Sequence, residues 1–151
     1  MDAMTRPTWD EYFMRIVEDV ATRSTCRRRK VGAILVKDKH IIATGYNGGP
    51  TGLAHCLDIG CLREQLNIHS CTQHELCRGV HAEQNAVIQA ARNGSQTTES
   101  VLYCTTQPCV QCTKMLLNAG VKEVVFKEGY PDGLALDLLN ESGIIVRKIE
   151  C

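Results

Sequence analysis

Between His81 and Val146 the sequence repeats helix then strand three times, and that alternation constrains the fold more than any other feature. His81 to Asn93 carries a helical pattern stopped by Gly94, and Val101 to Thr105 is a strand-like run. Cys109 to Ala119 reads as a helix started by Pro108 and ended by Gly120, with a strand from Val121 to Lys127. Leu134, Leu138 and Leu139 lie on a short helix before a last strand, Gly143-Ile144-Ile145-Val146. Strands joined through helices run parallel in a sheet covered on both faces.

The N-terminal part supplies the rest of the sheet. Trp9, Tyr12, Phe13, Ile16, Val17, Val20 and Ala21 form one helical stripe, read as core-facing and capped by Thr8. After the basic knot Arg27-Arg28-Arg29-Lys30, the apolar run Val31 to Val36 is a buried strand. Ile41 to Thr44 pairs with it as a hairpin across Lys37 to His40. The order α-ββ-loop-α-β-α-β-α-β predicts an α/β fold, a three-layer α/β/α sandwich on a mixed five-stranded sheet. With 151 residues, one domain over residues 1–151 is expected.

Gly45 to Gly79 breaks the pattern. It opens on the turn formers Gly45-Tyr46-Asn47-Gly48-Gly49-Pro50 and then shows no sustained period, yet it holds four cysteines and three histidines. A loop that long needs something to tie it down, and the Cys/His-rich insertion at about residues 50–79 suggests a metal. The chain has nine cysteines, no apolar run long enough for a membrane span, and no apolar stretch at Met1 to Trp9 resembling a secretion signal. Cytoplasmic thiols that bind metal or catalyse are therefore expected rather than disulfides. Lys+Arg and Asp+Glu each number 17. Zero net charge disfavours a nucleic-acid partner, which needs a basic face.

His81-Ala82-Glu83 and Pro108-Cys109-Val110-Gln111-Cys112 carry the chemistry. One nitrogen and two sulfurs suit zinc and leave a fourth position for water. Cys109 and Cys112, at i and i+3 in a first helical turn, can point the same way, and helix N-termini favour thiolates. Glu83 is then free to carry protons beside the metal. A structural zinc would want a fourth protein ligand and would leave Glu83 without a purpose. For a phosphorylated ligand, Arg28 is the first candidate because guanidinium matches phosphate oxygens in pairs, with Tyr130 as a pocket wall. The alternative for the arginines is a solvated face.

The pattern H-x-E…P-C-x-x-C is the known signature of zinc nucleobase deaminases. Further stretches narrow the resemblance: Arg23-Ser24-Thr25-Cys26, Val31-Gly32-Ala33, Thr44-Gly45-Tyr46-Asn47-Gly48, His55-Cys56, Leu76-Cys77-Arg78-Gly79, Asn118-Ala119-Gly120 and Tyr130-Pro131-Asp132. From about residue 9 to residue 146 the chain resembles the deoxycytidylate (dCMP) deaminases of bacteria and phages. The resemblance implies a cytidine deaminase-like sandwich and hydrolysis of dCMP to dUMP, which feeds thymidylate synthesis. It implies a catalytic Zn2+ on His81, Cys109 and Cys112, with Glu83 as acid and base. It places Asn47 on the deoxyribose and Ala82 in the substrate site; the alternative for Asn47 is a turn former. It also implies a second, structural Zn2+. Cys26, Cys56, Cys61 and Cys77 are its candidate ligands, and His55 or His74 could replace one. Cys104 reads as strand core, and Cys71 and Cys151 as incidental. Family members are commonly homohexamers activated by dCTP and inhibited by dTTP with Mg2+. That places effector contacts at Gly45, Tyr46 and Gly48 and, with subunit contacts, near Gln89 and Arg92. The rival readings are a tRNA adenosine deaminase, a nucleoside-level cytidine deaminase and a non-catalytic zinc-stabilised nucleotide-binding module.

Overall fold

The computed structural model describes residues 5–69, 72–130 and 132–150. Helix α1 (Trp9–Ala21) begins with a capping box in which the Glu11 N–H donates to Thr8 Oγ1 and the Thr8 N–H donates to the Glu11 carboxylate. Strands β1 (Gly32–Lys37) and β2 (His40–Tyr46) form the expected hairpin, with a register shift between Leu35 and Val36. Then follow α2 (Cys56–Ile59), α3 (Leu62–Gln65) and a 3₁₀ turn (His74–Leu76). The alternating part comprises α4 (Ala82–Asn93), β3 (Val101–Thr106), α5 (Val110–Asn118), β4 (Glu123–Glu128), α6 (Gly133–Ser142) and β5 (Ile145–Lys148).

The sheet order is β2-β1-β3-β4-β5. β1 is antiparallel to β2 and β3, whereas β3, β4 and β5 are parallel, so the sheet is mixed as expected. Two-residue alternation splits the strands between two cores. Ala33, Leu35, Leu102, Cys104, Val124 and Phe126 face α4, α5 and α6, where Ala82, Ala86, Leu116 and Leu139 meet them. Ile34, Val36, Tyr103 and Val125 face α1, against Phe13, Met14 and Val17. This is the three-layer α/β/α sandwich.

Three details differ from the sequence reading. The stripe of α1 is rotated: Met14 is buried, while Trp9 and Tyr12 are 45% and 44% exposed. The start of α1 is held instead by polar contacts, Arg147 gripping the Asp10 carboxylate with two nitrogens (2.7 and 3.0 Å) and the Tyr103 hydroxyl donating to it at 2.6 Å. The insertion is not one open loop, since α2, α3 and the 3₁₀ turn punctuate it. The last strand begins two residues later than expected, because Gly143, at φ 78°, caps α6.

Gly45 sets the distance between sheet and α4. A Cβ there would collide with the Ala82 carbonyl and the Ala86 nitrogen, so β2 and the first turn of α4 meet backbone to backbone. The Gln89 side chain adds a clamp by accepting from the Thr44 N–H at 2.7 Å.

Candidate active site

Two helix N-termini converge at the ends of β1 and β3. His81 is the N-cap of α4, its N–H donating to Gln84 Oε1 at 2.9 Å. Cys109 is the N-cap of α5, and Cys112 lies one turn on. Both ligands expected inside the helices thus sit at their caps, where backbone N–H groups concentrate positive potential. The start of α5 is fixed by Asp132, whose carboxylate accepts from the Val110 N–H at 3.0 Å and from the Ala135 N–H at 3.1 Å.

His81 Nδ1 faces Cys112 Sγ at 3.2 Å and Cys109 Sγ at 3.5 Å. Among the described residues, these three form the one group of three donors lying within 4.8 Å of one another. The thiols are 8% and 0% exposed. A hydrogen bond from Cys112, with a further one from His81, pulls the Cys109 thiol down to about 4. The thiolate beside it, together with burial, pushes Cys112 up. The pair thus favours a thiolate at Cys109, the form in which a cysteine binds a divalent cation. One imidazole and two sulfurs fit zinc, and no fourth described side chain closes the group. Glu83, 5% exposed, projects beside it, and burial pushes its carboxyl above the ordinary range.

These groups form the floor of a cavity of about 110 Å³. Asn47, Ala82, Tyr130 and Arg28 all line it, as the sequence reading expects. The Asn47 side chain, however, also braces the chain. Its Oδ1 accepts from the Val31 N–H and its Nδ2 donates to the Arg29 carbonyl, both at 2.9 Å. The bracing fits the turn-forming reading of Asn47, at a residue that also lines the cavity. Arg28 directs both terminal nitrogens to the Ile68 carbonyl at 3.4 and 3.5 Å, and the Arg29 guanidinium lies 5.1 Å from the centre of the Tyr130 ring.

Cys26, Cys56, Cys61 and Cys77 line the same cavity, but the four-sulfur site is not assembled: no three of them meet within 4.8 Å. They come from three separate stretches of chain, Cys26, Cys56 with Cys61, and Cys77, so local geometry relates only Cys56 to Cys61. Of the two candidate substitutes, His74 lines this cavity, its ring centre 5.2 Å from that of His81. His55 lines a second cleft, between β2 and α4, together with Gly45, Tyr46, Gly48, Gln89 and Arg92. Cys104 is fully buried in β3, as expected, and the charge of Glu83 together with burial pushes its thiol up. Cys71 and Cys151 lie outside the described residues.

Two cavity residues were missed by the sequence reading. Gln107, 4% exposed, donates to the Asp132 carbonyl at 3.1 Å. It precedes Pro108, and its position beside the cysteine motif was an available signal. Arg63, on α3, is 8% exposed and lines the cavity, and nothing in its local sequence separates it from a surface arginine.

Residues 7–128 match the family model described as the cytidine and deoxycytidylate deaminase zinc-binding region. The chain is 39% identical to the deoxycytidylate deaminase of Saccharomyces cerevisiae over 98% of its own length, and 40% identical to ComE operon protein 2 of Bacillus subtilis over 97%. It spans about half (47%) of the yeast protein and 74% of the Bacillus one. The crystal structure of a dCMP deaminase from the cyanophage S-TIM5, in complex with dCMP and dUMP, superimposes with a TM-score of 0.81 at 35% identity. That match covers 96% of this chain and 99% of the phage chain. Sequence, fold and donor set agree, and the chain belongs to the cytidine and deoxycytidylate deaminase family.

Proposed function

We propose that the chain catalyses the zinc-dependent hydrolytic deamination of dCMP to dUMP and ammonia. The observation that carries this is the buried Glu83 beside the three converging donors of His81, Cys109 and Cys112. His81, Cys109 and Cys112 hold the metal. Zinc bound there lowers the pKa of a water towards neutrality. Glu83 would take one proton from the water whose oxygen bonds to C4 of the cytosine and deliver it to N3, then take the proton of the new C4 hydroxyl and deliver it to the 4-amino group, which leaves as ammonia as the C4–N bond breaks. Burial suits it to this work, because a carboxylate held out of water is the more ready to take up a proton. Asn47, Ala82 and Tyr130 enclose the nucleotide, and Arg28 serves its phosphate.

The finer parts of the reading are these. Cys26, Cys56, Cys61 and Cys77 hold a second, structural Zn2+ that organises the insertion. The cleft at Gly45, Tyr46 and Gly48 takes dCTP as activator and dTTP as inhibitor, each with Mg2+, in a cytoplasmic homohexamer. Zero net charge and the match to named deoxycytidylate deaminases favour dCMP over a tRNA adenosine substrate.

Ammonia release from dCMP by the zinc-loaded protein, with and without dCTP and Mg2+, tests the reading. Turnover establishes the reaction, and stimulation by dCTP together with a hexamer in sedimentation establishes regulation. Absence of turnover under both conditions overturns the substrate and turns attention to tRNA adenosine or to nucleotide binding alone.

A further inference from the structure

We propose that Arg63, contributed by the cysteine-rich insertion, binds the 5′-phosphate of the substrate. The inference rests on the dCMP reaction proposed above and adds to Arg28 a second residue that selects a nucleotide over a nucleoside.

Arg63 is a buried charge without a counter-ion. Its side chain is 8% exposed. Among the described residues, no carboxylate forms an ion pair with it. Nη1 donates to the Thr72 carbonyl at 2.7 Å, while Nε is sealed from solvent and meets no acceptor. A buried guanidinium with an orphaned donor is costly unless an anion completes it. The nitrogen already engaged is Nη1, so the Nε and Nη2 edge remains. That edge presents two parallel N–H groups, the arrangement that grips a phosphate through two oxygens.

The surroundings select an anion as well. The cavity lined by Arg63 is lined also by Arg28 and Arg29, and the one carboxylate among its lining residues is Glu83. The whole chain is neutral, so this concentration of cations is local. Arg28 is less buried than Arg63, so Arg63 is the more fully desolvated cation of the two. A nucleotide has one strongly anionic group, and the guanidinium groups lining this cavity are the cations suited to it.

The test compares wild type, Arg63→Gln and Arg63→Lys, all zinc-loaded, on dCMP and on deoxycytidine. Loss of a charge-assisted hydrogen bond lowers kcat/KM for dCMP about 10- to 100-fold in Arg63→Gln, far more than for deoxycytidine. Arg63→Lys keeps the charge and recovers part of the loss. Equal losses on both substrates, or no loss on dCMP, overturn the inference. If Arg63→Gln fails to fold, the ratio of the two substrates in Arg63→Lys decides in the same way. Calorimetric binding of dUMP and deoxyuridine separates this inference from the proposed reaction. If wild type deaminates neither substrate, the reaction fails, yet selective loss of dUMP affinity in Arg63→Gln still supports a phosphate contact. Unchanged dUMP affinity overturns it.

Discussion

Two sets of sulfur donors line one cavity, and only one of them stands ready for a metal. Cys109 and Cys112 are held by the first turn of a nine-residue helix, whose start is tied down by Asp132. With His81 on the facing helix cap, the donors converge within 4.8 Å. Cys26, Cys56, Cys61 and Cys77 stand on a connection, two four-residue helices and the end of a 3₁₀ turn, and they do not converge. Around them Leu53, Leu57, Ile59, Leu62 and Leu66 are all exposed, so the insertion has little apolar packing of its own. Secondary structure with a packed face places ligands before the metal arrives. Short turns leave that work to the metal.

The contrast can be broken from the stronger side first. Replacing Cys112 with Ser removes zinc from the catalytic group and takes deamination to background, with elemental analysis and ammonia release reporting together. Glu83→Gln separates metal from chemistry: zinc and fold are kept while turnover falls about 10²–10⁴-fold. A variant retaining more than about a hundredth of the wild-type rate would argue against Glu83 as proton carrier. Gly45→Ala tests whether helix placement is what assembles the donors. A methyl driven between β2 and α4 costs about 1–3 kcal/mol in denaturant unfolding and impairs catalysis without touching a ligand. Cys61→Ser probes the weaker side: the second equivalent of zinc is lost and the insertion becomes protease-sensitive, while the catalytic zinc stays. Retention of both equivalents would remove Cys61 from the ligand set.

The smallest effect belongs to a control on the other face of the sheet. The Arg147 guanidinium holds the Asp10 carboxyl below its usual 3.8. A depressed carboxylate contributes stability above about pH 4 and loses it as pH falls further, through the folded-state value. Asp10→Asn therefore flattens the acid limb of the stability curve and costs about 1 kcal/mol or less at neutral pH, since both side chains are about a third exposed. The zinc content should not respond.

The sandwich was legible because each β/α unit carries its own punctuation: Pro108 before α5, and Gly94, Gly120 and Gly143 after their helices. The metal group was legible because its spacing is local, two cysteines one turn apart and a His-x-Glu at a helix start. Neither reason extends to the insertion. Four-residue helices are too short to show a period, and the sulfurs of Cys26 and Cys77 are related only through the tertiary fold. Periodicity showed that α1 has one apolar stripe but set its direction off, so Trp9 and Tyr12 were placed inward although Met14 is buried and the start of that helix rests on Asp10 and Arg147. Arg63 was invisible for a different reason, since burial of a cation depends on what the rest of the chain wraps over it.

The meeting of Gly45 with the first turn of α4 has a consequence for how freely this protein can vary. Because the contact is main chain on main chain, the altitude of His81 and Glu83 above the sheet is set at that point by backbone, with the Gln89 clamp as a side-chain addition. Ile88 and Arg92, on the solvent side of the same helix, can therefore be exchanged for other residues without displacing the reacting groups. A protein so arranged can redesign the outside of its catalytic helix, where neighbours and ligands would be met, and keep its chemistry in place.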